Sequence, residues 1–346
     1  PFEGGPRSWC SSVVPFDNNT SNPLTPLVGQ VIAINYTAPD TAVLECRFDT
    51  NLINLANGVK FSAKIKDPDT PPVPYEFPIP FGDQARLAYS TAFKLSPNNV
   101  YSGPIMKVRR SIDNATQDIP FNNVQIDNVE LLNFIGNGVD DNGYIVTLYD
   151  QSGDNNHATT NVFADQPQIV KNGIILTSVN GLTAGLSDGV FNNFNISTPV
   201  PNLQNFYAFH VFDRVAGGKT SLGFATSGLS GPITFGWTAI DRVIDIMGAV
   251  ANNWTNPGVD TSTGNFLFTS FRDGADNMTM QKDGIAYPTS PIVTPLAAGF
   301  IDKLLQRPAP IITHNGYFQE FILFMNDQSA NLATLNANIK NRYNIP

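Results

Sequence analysis

Between residues 206 and 282 the chain repeats one pattern, and that pattern limits the fold more than any other feature. Six apolar segments rich in β-branched and aromatic residues, 206–212, 221–226, 233–238, 243–248, 266–271 and 278–282, alternate with turn-forming residues. Segments this short cannot build stable amphipathic helices, so they read as strands of an antiparallel meander. RDGADN and KDG place Asp-Gly at tight hairpins, where Gly274 and Gly284 can take positive φ without a Cβ penalty. The closing run GYFQEFILFMND continues the alternation as a strand. After it, Leu332, Leu335, Ile339 and Tyr343 fall at helical spacing, which predicts a short terminal helix laid on the sheet.

At 346 residues the chain has room for about two domains. Residues 1–66 hold three β-branched segments, 31–37, 41–49 and 59–66, and read as a small β domain for anchoring or assembly. Residues 67–82, with DPDTPPVPYEFPIP, lose too many backbone donors for sheet interior and read as an extended linker. Residues 83–346 form the large domain. Its expected start is a helix behind Asp83, because Ala85, Ala88, Tyr89, Ala92 and Phe93 recur at three- and four-residue spacing. A strand over 105–111 and a helix over 127–134, with Val129, Leu132 and Ile135 inward, follow.

The charge balance, 20 Lys+Arg against 29 Asp+Glu for a net −9, leaves no basic stripe for nucleic acid. No uncharged apolar run is long enough for membrane insertion. Cys10 and Cys46 either close one disulfide in an oxidising setting or stay as reduced thiols. His157, His210 and His314 are too dispersed to suggest a zinc site with them. Arg109 and Arg110, followed by Asp113 and Asp118, either form buried ion pairs that pin a loop or reach a ligand. The Asp150, Asp154 and Asn155 cluster either caps turns or holds calcium, the one cofactor considered.

YSGPIMKVRRSIDNATQDI, followed by YIVTLYDQSGDNNHATT, resembles the start of the catalytic domain of family 54 α-L-arabinofuranosidases. It is also similar to concanavalin A-like, laminin-G-type domains of phage tail and other virion proteins, whose Q-P-x-I-V and N-G phrases match 166–170 and Asn180-Gly181. The resemblance covers roughly residues 83–346 and implies an all-β, concanavalin A-like jelly-roll sandwich. For the arabinofuranosidases it implies a nucleophilic Glu after the strand at 206–212 and an acid/base Asp in a G-G-D-N loop before the penultimate strand. The corresponding segments here read DRVAGGKTSLGFATS and QRPAPIITHNG, with neither carboxylate. The resemblance therefore implies the fold without the activity.

The resulting expectation is a non-catalytic virion surface or appendage protein, extracellular, that binds a host surface glycan and assembles as a homo-oligomer with other virion subunits. A sugar site needs an aromatic face and nearby planar amides or carboxylates. Trp254 with Asn252 and Asn253 on a Pro-Gly loop, together with Trp237 and Asp213, are its candidate residues. Two other readings stand beside it: a purely structural capsid or fibre component, and a hydrolase in which Asp213 pairs with Asp241 or Asp245.

Overall fold

A computed structural model describes side chains over residues 85–95, 101–190, 192–200, 206–215, 262–272, 279–287, 301–305 and 314–346. It describes as backbone strands alone 14–17, 30–38, 41–47, 59–62, 201, 221–222, 224–225, 233–237, 243–247, 254–255, 278, 300, 306–308 and 311–313. The chain divides into two compact units, Pro1–Pro74 and Tyr75–Pro346, so the division falls in the Pro-rich stretch. In the first unit Gln30–Ala38 pairs with Thr41–Arg47 and Val14–Asp17 pairs with Val59–Ser62, both antiparallel.

The second unit is a two-layered antiparallel sandwich. One layer runs β3 (Thr116–Ile119), β2 (Met106–Arg110), β4 (Gly143–Leu148), β5 (Ala158–Thr159), β8 (Phe194–Pro201) and β13 (Phe300–Leu304). The other runs β1 (Ala85–Ser90), β14 (Asn315–Phe324), β9 (Phe206–Arg214), β10 (Gly264–Arg272), β11 (Met278–Lys282) and β12 (Ile285–Ala286). β6 (Gln168–Lys171) and β7 (Gly185–Asp188) join the layers, since β6 pairs with β4 and β7 with β14. Strands from both layers fill the core with Met106, Val108, Ile145, Phe206, Phe212, Phe268 and Phe321.

The C-terminal helix α2 (Leu332–Arg342) lays Leu335 and Ile339 on the outer face of the second layer, over Tyr207, Phe209 and Ile322, with Tyr343 just beyond its end. That is the helix the spacing predicts. The KDG hairpin also forms as expected, with Asp283 at φ 55° and Gly284 at φ 86°. Two positive φ values in a two-residue loop give the turn whose twist matches the strands.

Three expectations are corrected. Residues 85–90 form a strand, not a helix: Leu87 and Tyr89 enter the inter-layer core while Ala85 and Ala88 face the helix-covered side. A strand buried on both faces has a near-continuous apolar sequence, and its period cannot distinguish it from a helix. In α1 (Asn128–Ile135) Leu131 and Ile135 point inward, whereas Val129 is 68% exposed. Asp127 starts that helix by accepting from the Val129 and Glu130 N–H groups. Finally, the Arg110–Asp113 pair, at 2.7 Å, lies at the surface rather than buried, and among the described residues Arg109 pairs with no acid.

Candidate functional site

The stretch that carries the resemblance packs as scaffold. Asp150 is fully buried, and its oxygens accept from the Ala88, Ser152 and Asn156 N–H groups and the Ser152 hydroxyl. Gln151 N–H in turn donates to the Ala88 carbonyl. The turn thus satisfies the free edge of β1, which pairs on its other side with β14. Burial raises the Asp150 pKa, and the four donors oppose that shift. Asp154 is turned to Arg86, and Asn155 occupies the left-handed region at φ 57°. Among the described residues no group of three or more His, Cys, Asp or Glu side chains converges on a point.

Arg109 fixes the neighbouring strand end without a carboxylate. Its guanidinium donates to Gln166 Oε1 at 2.7 Å and Asn114 Oδ1 at 2.8 Å, and stacks on the rings of Tyr144 and Phe163. Burial lowers its pKa.

Glu320 is engaged by two partners inside the fold. It is buried, with its Oε1 3.2 Å from the Arg342 guanidinium and its Oε2 accepting from the Tyr343 hydroxyl at 2.9 Å. Burial raises its pKa while Arg342 pulls it back. The group ties α2 to β14.

His210 is a buried residue of β9, and His314 is buried just before β14 begins. Their rings lie 6.3 Å apart, and each packs on Phe212. Burial drives the His314 pKa down to about 4 and His210 well below its usual value, so both are neutral near pH 7.

Asp213 is different. Near the end of β9 it faces a cleft of about 570 Å³ lined by Thr177, Ser178, Val179, Arg214, Thr263 and Tyr317, among others. Its Oδ2 accepts from the Ser178 hydroxyl at 3.0 Å and the Val179 N–H at 3.1 Å, which fixes the carboxylate. Tyr317 and Asn265 are its direct cross-strand neighbours. Gly316 lets β14 come this close: at φ 143°, an added Cβ would sit 2.3 Å from the Asp213 carbonyl oxygen. An oriented carboxylate, a phenol and hydroxyls can hydrogen-bond a polyol. Asp213 is the one acid among the described lining residues.

Of the other sequence candidates, Trp237 and Trp254 lie in backbone strands, while Asn252 and Asn253 lie outside the described residues. Asp245 and Cys46 are likewise strand residues without described side chains, and Cys10, Asp241 and Gly274 fall outside the described residues. The sequence reading missed Tyr317 and Ser178. Alternation in GYFQEF puts Tyr317 on one face of a strand, but nothing local pairs it with Asp213.

No family model matches the chain, and no curated protein does. Solved structures do. An arabinofuranosidase complexed with arabinofuranosyl-α-1,2-xylobiose matches with a TM-score of 0.54 at 17% identity, over 74% of this chain and 62% of its own. A GH54 α-L-arabinofuranosidase soaked with a cyclic sulfate inhibitor gives 0.53 at 17% identity, over 75% of this chain and 63% of its own. The fold is a concanavalin A-like sandwich. At that identity the likeness extends to the fold alone, and this chain spans less than two thirds of those arabinofuranosidases.

Proposed function

We propose that the sandwich is a lectin-like module that binds a host surface glycan without cleaving it, carried on a virion or other extracellular surface. The small N-terminal β unit serves assembly in this reading. The observation that carries it is the Asp213 cleft, where a fixed carboxylate stands beside Tyr317 and no second acid lines the described wall. Two further points support it. Glu320 is consumed by Arg342 and Tyr343, and the segments that would carry the arabinofuranosidase carboxylates contain neither. The virion setting rests on the resemblance of the RRSIDN and YDQSG segments.

A glycan array probed with the whole chain tests the binding. Glycan-specific binding that Tyr317→Ala or Trp254→Ala weakens at least tenfold supports the site; absence of binding to every glycan overturns it. Release of nitrophenol from aryl arabinofuranosides, abolished by Asp213→Asn, would establish the hydrolase instead.

A further inference from the structure

The register of the first layer builds a second surface that the cleft does not include. Ile119, Met106, Leu148, Ala158 and Ile196 are successive cross-strand neighbours on β3, β2, β4, β5 and β8, and all are buried in the core. One residue away on each strand, side chains point to the opposite face. Those positions are Asp118, Lys107, Thr147, Thr159 and Asn195, and β13 adds Lys303 beside Asn195. A single polar row therefore crosses six strands on the outer face of the layer, spanning roughly 24 Å at the usual strand spacing.

The row is linked in three neighbouring pairs. Lys107 Nζ lies 3.8 Å from Asp118 Oδ1, the Thr147 and Thr159 hydroxyls are 3.1 Å apart, and Lys303 Nζ donates to Asn195 Oδ1 at 2.7 Å. The side chains of Lys107 and Asp118 are 37% and 48% exposed. Lys107 and Asp118 cancel in charge and Lys303 leaves the row with a net +1, too little for a polyanion track; with Thr147 buried at 7%, the row offers chiefly the Thr159 hydroxyl and the amide, ammonium and carboxylate groups of Asn195, Lys107, Lys303 and Asp118.

Aromatic rings flank it on both sides. Tyr149 donates its hydroxyl to Asp118 at 2.7 Å and meets the His157 ring edge to face. Two residues along β2 from Lys107, roughly 7 Å away, Arg109 lies 4.1 Å beneath the centroid of Phe163, a residue that is 56% exposed. Polar side chains alone would be ordinary on a solvated strand face. An exposed phenyl ring stacked on a buried, doubly hydrogen-bonded arginine is a more specific feature, because the cation holds one face of the ring while much of the residue stays open to solvent. Such a ring presents a fixed apolar face against which a sugar ring can stack while the row binds its hydroxyls.

We infer that this outer face is a track for an extended oligosaccharide of several sugar units, laid across β3, β2, β4, β5, β8 and β13 with Phe163 and Tyr149 as stacking platforms. The inference rests on the carbohydrate-binding reading above and adds a second contact surface besides the Asp213 cleft and the length of the ligand. It is tested by calorimetric titration of the whole chain with the strongest glycan on the array, as hexasaccharide, trisaccharide and monosaccharide, for the wild type, Phe163→Ala and Asn195→Ala. Both residues are at the surface, and circular dichroism confirms that each variant stays folded. The expected result is affinity that rises at least tenfold from monosaccharide to hexasaccharide and falls at least tenfold in Phe163→Ala. Wild-type affinity independent of length, or unchanged hexasaccharide affinity in both variants, overturns the track and leaves the glycan-binding function standing. Absence of binding to every arrayed glycan overturns both.

Discussion

Acid should weaken the sandwich before it protonates the surface carboxylates, and the buried histidines set the size of the effect. Folding moves His314 from 6.5 to about 4, so between those values the unfolded chain binds a proton that the folded chain cannot take. Stability is therefore complete above about pH 6.5 and falls as the pH drops toward 4, by up to ~1.4 kcal/mol per unit and ~3 kcal/mol in all. His210 has the same sign, since burial lowers it too. Relief by hydration is slight: the void beside His210 is about 10 Å³, at the lower limit for one water molecule. Glu320, which lines that void, acts in the opposite sense, because burial raises its pKa and the folded state then binds a proton first as the pH falls. Asp113, held at about 2 by Arg110, loses its contribution below this window. Comparing the wild type with His314→Leu isolates the term. Urea unfolding followed by intrinsic fluorescence at pH 7.5, 6, 5 and 4.5 should show the stability gap between the two proteins shifting in favour of the variant by ~2–3 kcal/mol as the pH falls. Parallel profiles, agreeing within ~0.5 kcal/mol at every pH, would refute the reasoning.

Arg342→Met should destabilise by ~3–5 kcal/mol in urea titrations, because it leaves the Glu320 charge buried without its partner, and adding Glu320→Gln should recover much of that loss. Asp150→Ala strips four donors of their acceptor and should cost at least ~2 kcal/mol, with amide exchange of Ala88 accelerating as the edge of β1 opens. Gly316→Ala should lower the melting temperature through a loss of more than ~1 kcal/mol, since its Cβ would strike the Asp213 carbonyl; an unchanged midpoint would show that β14 and β9 are further apart.

Much of the fold was legible because strand and helix periodicity are local. Residues 206–212 announce themselves as a short apolar, aromatic-rich run between turn signals, 315–324 by alternation at its start, and Leu335, Ile339 and Tyr343 by helical spacing, all of them signals carried by the segment itself. The Asp-Gly at 283–284 was legible for an equally local reason, the backbone conformation the hairpin imposes. The helix expected over 85–93 failed where burial on both faces erased the period. Val129 failed because the direction in which a helix docks belongs to its partners. What only the tertiary structure decided was register. Ser178 stands 35 residues before Asp213, and Arg342 stands 22 after Glu320, yet packing makes them bonded neighbours. The polar row from Asp118 to Lys303 gathers single residues from six strands, each unremarkable in its own segment. A shift of one residue in any strand would turn its member into the core, so the row exists through pairing and through nothing the local sequence states.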